Sequence, residues 1–146
     1  MSFRTERRVE FRDTDAAGIV HFSAFFPMME AAEHQMFRSL GLSVMPQGDA
    51  NEHDRSLQVT WPRVAASCHY RAAAKFEDLL EISVEVAKIG RSSVTYRFLF
   101  SRGQTLIAEG EMTSVCCCLD HHGAGQGLKK VEIPEGIRAK LQEVSD

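Results

Sequence analysis

Long apolar runs are missing from this sequence. None of its 146 residues sits in a stretch approaching the ~18 consecutive apolar positions of a membrane-spanning helix, so no membrane part is predicted. An excess of one charge is missing too. Seventeen Lys and Arg stand against 20 Asp and Glu, for a net charge of -3, which argues against a general nucleic-acid or polyanion binder. A local basic patch for one phosphorylated ligand is still allowed. No C-x-x-C occurs. The cysteines are Cys68, Cys116, Cys117 and Cys118, and three in a row on an extended segment cannot pair comfortably with each other. No apolar run follows the basic residues of the first eight positions, so a secretory signal is not expected. Free thiols in a reducing, cytoplasmic compartment are the expectation. His121 and His122 follow the cysteines closely, but the four-ligand spacing of a structural zinc site is absent and no metal is predicted.

What is present fits an ordinary folded domain. The chain is 44% hydrophobic and 25% charged, a balance that opposes disorder. Its length suits one domain, residues 1–146, able to bury a core without staples.

Hydrophobic periodicity sets out the elements. Val9 and Phe11 alternate with Arg8, Glu10 and Arg12 in segment 3–12, as in a half-buried strand. A turn-like stretch, Asp13 to Gly18, follows. The strong helix candidate spans 23–40, with Ser23 as a possible cap and Pro27 in the first turn. Phe25, Met28, Met29, Ala32, Met36, Phe37 and Leu40 recur at helical spacing, Arg38 sits in the last turn and Gly41 supplies the stop. Residues 43–56 read as a polar loop. Strands are expected over 57–71 (bent at Trp61-Pro62), 80–89, 94–102 and 105–119, followed by a polar loop from Asp120 to Gly127 and a short helix near 135–143. A helix apolar on more than a narrow stripe must be surrounded. The predicted class is therefore α+β: an antiparallel five-stranded sheet wrapped round one long helix.

The run Glu10-Phe11-Arg12-Asp13-Thr14-Asp15-Ala16-Ala17-Gly18-Ile19-Val20-His21-Phe22 resembles the signature of the 4-hydroxybenzoyl-CoA thioesterase family of hotdog-fold proteins. Val64 to Tyr70 with Phe76-Glu77-Asp78, Gly90-Arg91-Ser92-Ser93-Val94, and Val131-Glu132-Ile133-Pro134 resemble later family segments in the same order. The resemblance implies a hotdog fold and a homo-oligomer, dimer or tetramer, whose active sites lie between protomers. It implies hydrolysis of an acyl-CoA thioester with no metal and no cofactor beyond the coenzyme A of the substrate.

Thioester hydrolysis needs a base or nucleophile and a donor for the developing oxyanion. The leaving thiol has a pKa near that of Cys, ~8.5, so little acid assistance is required. By resemblance Asp15 is the catalytic carboxylate, either attacking the carbonyl carbon or deprotonating water. Asp13 reads as a structural turn residue. The resemblance makes the Phe22 backbone N–H the oxyanion donor, with Gly18 allowing the close approach and turn into the helix. A calcium loop is rejected, since Ala24 occupies the place of its essential glutamate. His21 departs from the family: some relatives carry a His one position later. It either lines the acyl pocket, orients water, or packs locally. His34 and His69 read as structural. Glu30 matches an acidic family position and is a candidate to contact substrate or support those that do, whereas Glu33 reads as part of a solvated helix face.

Coenzyme A carries phosphates, so positive charge should gather near the pocket mouth. Arg91, with Ser92 and Ser93 in its turn, and Lys129 and Lys130 are the candidates. Trp61, Phe22, Phe25 and Met29 are candidates for shaping the acyl pocket. The reading from another class is a non-catalytic hotdog module binding acyl-CoA or an acyl carrier protein. A third is a hotdog dehydratase, for which only His34 speaks.

Overall fold

Strict alternation of apolar and polar residues in the middle of the chain builds a one-sided sheet, and the computed structural model of the protein shows it. The structure describes residues 1–45, 58–119 and 127–145. Residues 46–57 and 120–126, which include most of the first expected loop and His121 and His122, lie outside the described residues.

The main sheet contains β1 (Phe3–Arg8), β3 (Arg63–Tyr70), β4 (Leu79–Ile89), β5 (Ser93–Arg102) and β6 (Thr105–Val115). Its order is β1-β4-β5-β6-β3, antiparallel throughout. Leu80, Ile82, Val84 and Val86 of β4 and Val94, Tyr96, Phe98 and Phe100 of β5 are buried on one face. Against that face lies α1 (Phe25–Ser39), burying Phe25, Met28, Met29, Ala32, Met36 and Phe37. Each such fully buried Phe or Met side chain contributes about 1.5–3 kcal/mol. The helix beds closely because Gly110 of β6 has no side chain: a Cβ there would strike Met29 Sδ. Gly41, at φ +75°, ends the helix as expected. The terminal helix α2 (Glu135–Gln142) buries Ile137 and Leu141.

Several expectations need correction. The first strand stops at Arg8. Phe11 is not half-buried but 79% exposed, because Phe11–Asp13 forms a 3-10 turn closed by reciprocal Glu10 and Asp13 side-chain bonds. Ser23 does not cap the long helix. A second 3-10 turn, Phe22–Ala24, precedes α1, and His21 caps that turn by accepting the Ser23 N–H. The strands expected at 57–71 and 105–119 both break, at Trp61-Pro62 and at Cys116. Their outer pieces, β2 (Val59–Thr60) and β7 (Cys117–Leu119), join β8 (Leu128–Lys130) in a separate three-stranded sheet. Proline lacks the N–H a ladder needs, and the Pro62 carbonyl instead accepts the Val115 N–H at 2.9 Å. Burial, then the neighbouring Cys117 and Cys118, push the Cys116 thiol up to about 12, so this buried cysteine packs as a neutral side chain. No described helix is long and apolar enough to cross a membrane.

Candidate active site

The Asp13–Phe22 segment folds into a tight ladder. Thr14 bridges Val20, the Asp15 N–H donates to the Ile19 carbonyl at 3.0 Å, and the His21 N–H donates to the Asp13 carbonyl at 2.8 Å. At its tip the Gly18 N–H donates to the Asp15 carbonyl at 2.9 Å, with Gly18 at φ +80°. That conformation lies in the left-handed region that favours glycine. The ladder is docked on the segment leading into β4: the Val20 N–H donates to the Ala74 carbonyl at 2.8 Å, and Ile19 bridges Lys75.

The two aspartates of the motif have opposite environments. Asp13 is 7% exposed. It accepts two bonds from Arg7, at 3.1 and 3.2 Å, and the Glu10 N–H at 2.8 Å. It is a structural turn residue, as its sequence context predicts. Asp15 is exposed. Its Oδ1 accepts the Ala17 N–H at 2.8 Å, and its other oxygen has no partner among the described residues. No cation pairs with it there.

Beyond the ladder the chain turns into α1 through Phe22–Ala24. The Phe22 N–H makes no hydrogen bond among the described residues, while its carbonyl accepts the Tyr70 hydroxyl at 2.8 Å. His21 is half-buried, with Nδ1 2.7 Å from Ser23 Oγ and its ring 4.4 Å from that of Phe22. A cleft of about 580 Å³ opens beside this turn, lined by Arg7, Arg12, Asp13, Thr14, His21, Ser23 and Ala24 and by Pro27, Met28 and Ala31 of the helix. His21 faces it; Asp15 is not among its lining residues.

Glu30 and Glu33 converge on Arg63 at the start of β3. Arg63 meets Glu33 at 3.0 and 3.2 Å, Glu30 at 3.1 Å and Ser114 Oγ at 3.3 Å. Glu33 is therefore not on a solvated face: it is 3% exposed and ion-paired. Burial opposes the Arg63 charge, but the two glutamates outweigh it and raise the guanidinium above its ordinary value.

The phosphate-facing candidates gather elsewhere. Lys129 and Lys130 lie on β8, opposite Cys118 and Cys117. The Arg91 turn is tied to the segment that follows: its carbonyl accepts the Ile133 N–H at 2.9 Å, and Arg138 of α2 donates to the Gly90 and Arg91 carbonyls at 3.0 and 3.2 Å. The Ser92 carbonyl accepts the Cys116 N–H, and Ser93 opens β5. Arg91 itself is exposed and 3.7 Å from Glu132. Trp61 is buried edge-on against Phe37, ring centroids 6.0 Å apart. Phe37 lies ~18 Å along the helix from Phe25, taking 1.5 Å per residue, so within one chain Trp61 is remote from the Phe22 turn.

The sequence reading missed Arg7, Arg63 and Tyr70, and the clamp of Arg102 on Asp78 at 2.7 Å and on the Ala73 carbonyl at 3.1 Å. The Lys75 N–H, then Arg102, outweigh the effect of burial and hold the Asp78 carboxyl below its ordinary range. Charged residues inside strand patterns were the available signal, but charge alone does not name a partner.

A long apolar helix laid across a curved antiparallel sheet, with a D-x-D-x-x-G ladder at its entrance, defines a hotdog-fold protein. The chain belongs to the thioesterase-like superfamily, whose model matches residues 9–141. It is 29% identical over 120 residues to the acyl-CoA thioester hydrolase YbgC of Escherichia coli, covering 78% of this chain and 81% of that one. A 1,4-dihydroxy-2-naphthoyl-CoA thioesterase from Synechocystis superposes with a TM-score of 0.79 at 24% identity, covering 99% and 98% of the two chains. A 4-hydroxybenzoyl-CoA thioesterase superposes with a TM-score of 0.75 at 23% identity, covering 99% of each.

Proposed function

We propose that the protein hydrolyses an acyl-CoA thioester, with the Asp15 carboxylate as base or nucleophile and the Phe22 N–H as oxyanion donor. The observation that carries this reading is an exposed carboxylate with no cation partner among the described residues, on the ladder that leads into a helix entrance whose Phe22 N–H is unbonded among the same residues. As a base, Asp15 takes a proton from water; the oxygen bonds to the acyl carbon, the C–S bond breaks and coenzyme A leaves as thiolate. As a nucleophile, it forms an acyl-aspartyl anhydride that water then cleaves. Both routes give free acid and coenzyme A. The thioester-hydrolase names of the relatives support the same reaction.

The working unit in this proposal is a pair of chains. Among the described residues β3 ends the main sheet, and an unpaired sheet edge is a template for another strand. Antiparallel pairing of two β3 strands about their centre sets Arg63 of one copy opposite Tyr70 of the other. The Glu30–Arg63–Glu33 cluster and Trp61 of the second copy then approach the Phe22 turn of the first. Arg91, Ser92, Ser93, Lys129 and Lys130 take the role of contacts for the phosphates of coenzyme A.

The test is thiol release from aryl-, short-chain and long-chain acyl-CoAs by wild type and Asp15→Asn. Turnover that disappears in the variant is the expected result. Tight binding with no thiol release by wild type would replace the enzyme with an acyl-CoA-binding module.

A further inference from the structure

Tyr70 is the last residue of β3, fixed in register opposite Ala108 of β6. The next residue is fixed too, since the Arg71 N–H donates to the Ile107 carbonyl at 2.8 Å. From this rigid sheet corner the Tyr70 ring reaches across to α1 and packs on Phe25, with centroids 5.4 Å apart and planes tilted by 56°. Its hydroxyl donates to the Phe22 carbonyl at 2.8 Å. Nothing in the reaction proposed above uses this bond.

Its position is informative. The 3-10 turn is short: the Ala24 N–H donates to the His21 carbonyl at 2.9 Å, and the Phe25 N–H to the Ser23 carbonyl. Such turns have poorer hydrogen-bond geometry than an α-helix and need outside support to hold one conformation. Two outside bonds bracket Phe22. Upstream, the His21 N–H is held by the Asp13 carbonyl. Downstream, the Phe22 carbonyl is held by Tyr70. The peptide between these fixed points carries the Phe22 N–H. An oxyanion donor is effective only when aimed before charge develops.

We infer that Tyr70 is a positioning residue that latches the Phe22 turn to the edge of the sheet and aims the Phe22 N–H at the thioester carbonyl. This inference rests on the proposed hydrolase reading. Burial, then the nearby Cys68, raise the Tyr70 hydroxyl above its ordinary value, so it keeps its proton and donates at neutral pH. The latch sits on the same β3 edge proposed to pair with a second copy, so assembly would order the turn from the sheet side.

Tyr70→Phe keeps the ring on Phe25 and removes only the hydroxyl. Its kcat should fall about tenfold, less than the ~10²–10³ seen when an oxyanion donor itself is deleted. KM and the thermal midpoint should stay near wild type. Amide exchange should quicken at Ala24 and Phe25 and stay unchanged at Met36 and Phe37, marking a local loosening. Unchanged kcat, a rise confined to KM, or a loss of kcat matched by general destabilisation would each overturn the inference. Wild type that releases no thiol from any thioester would sink the hydrolase reading and the catalytic meaning of the latch with it. If wild type is active and Ala24 exchange is the same in both proteins, only the latch fails.

Discussion

Two pairs of carboxylates, one in the turn before α1 and one in the middle of that helix, are split the same way. In Asp13–Asp15 and in Glu30–Glu33 one member is buried on an arginine and the other is exposed. Asp13 has Arg7; Glu33 has Arg63. The exposed members differ. Glu30 still reaches Arg63 at 3.1 Å, whereas among the described residues Asp15 has only its own turn's N–H. A carboxylate already engaged by a guanidinium has lone pairs committed to that partner. One held by a single backbone N–H keeps lone pairs for a substrate or water. The contrast supports the proposed role of Asp15 and leaves the other three tied to arginines.

The largest expected effect lies on the uncommitted member. Asp15→Asn should lower kcat by about 10³-fold or more, since it removes the group proposed to attack the thioester or activate water. Its thermal midpoint should match wild type, because no ion pair is lost. A stability loss as large as that of the buried members would erase the distinction between the two halves of each pair.

Glu33→Ala comes next. It strips Arg63 of a buried bidentate partner, and breaking a fully buried pair costs ~3–5 kcal/mol. Glu30 remains to hold part of the charge, so about 2–4 kcal/mol in denaturant unfolding is the expected loss. Asp13→Asn should cost less, about 1–2 kcal/mol: asparagine can still accept the Glu10 N–H and a bond from Arg7, whereas Glu33→Ala removes every acceptor of its side chain. Equal costs in the two variants would mean that the acceptor kept by asparagine does not hold the Asp13 turn together.

These pairs also mark how far sequence reading reaches. The core of the fold was legible because the strands of the main sheet and α1 follow simple periods: Leu80, Ile82, Val84 and Val86 at two, Phe25, Met29, Ala32 and Met36 at helical spacing. The motif around Asp15 was legible as a compact run. Long-range pairing was not. Glu33 and Arg63 are thirty positions apart, and a glutamate on a helix carries no mark of burial until its arginine is known. Phe11 fitted the strand alternation, yet the Glu10–Asp13 bonds turned the backbone there and left its ring in solvent against Phe76. Local side-chain to backbone bonds compete with strand geometry, and periodicity does not register them. The breaks at Pro62 and Cys116 split two expected strands for a related reason: chain continuity in sequence does not say which sheet a residue joins.

Glu30→Gln gives the smallest effect and the sharpest discrimination. The side chain of Glu30 is 53% exposed, and Glu33 alone can hold Arg63, so the stability change should stay below about 1 kcal/mol. Activity is the decisive reading. If Glu30 serves only to balance Arg63, glutamine, which accepts the same hydrogen bond, should leave kcat and KM within about threefold of wild type, a difference below ~0.7 kcal/mol. A tenfold or larger fall in kcat at unchanged stability would mean that the Glu30 charge acts on the substrate, in the same chain or across the β3 edge. The second pair would then resemble the first in function as well as in layout, and Asp15 would share the chemistry.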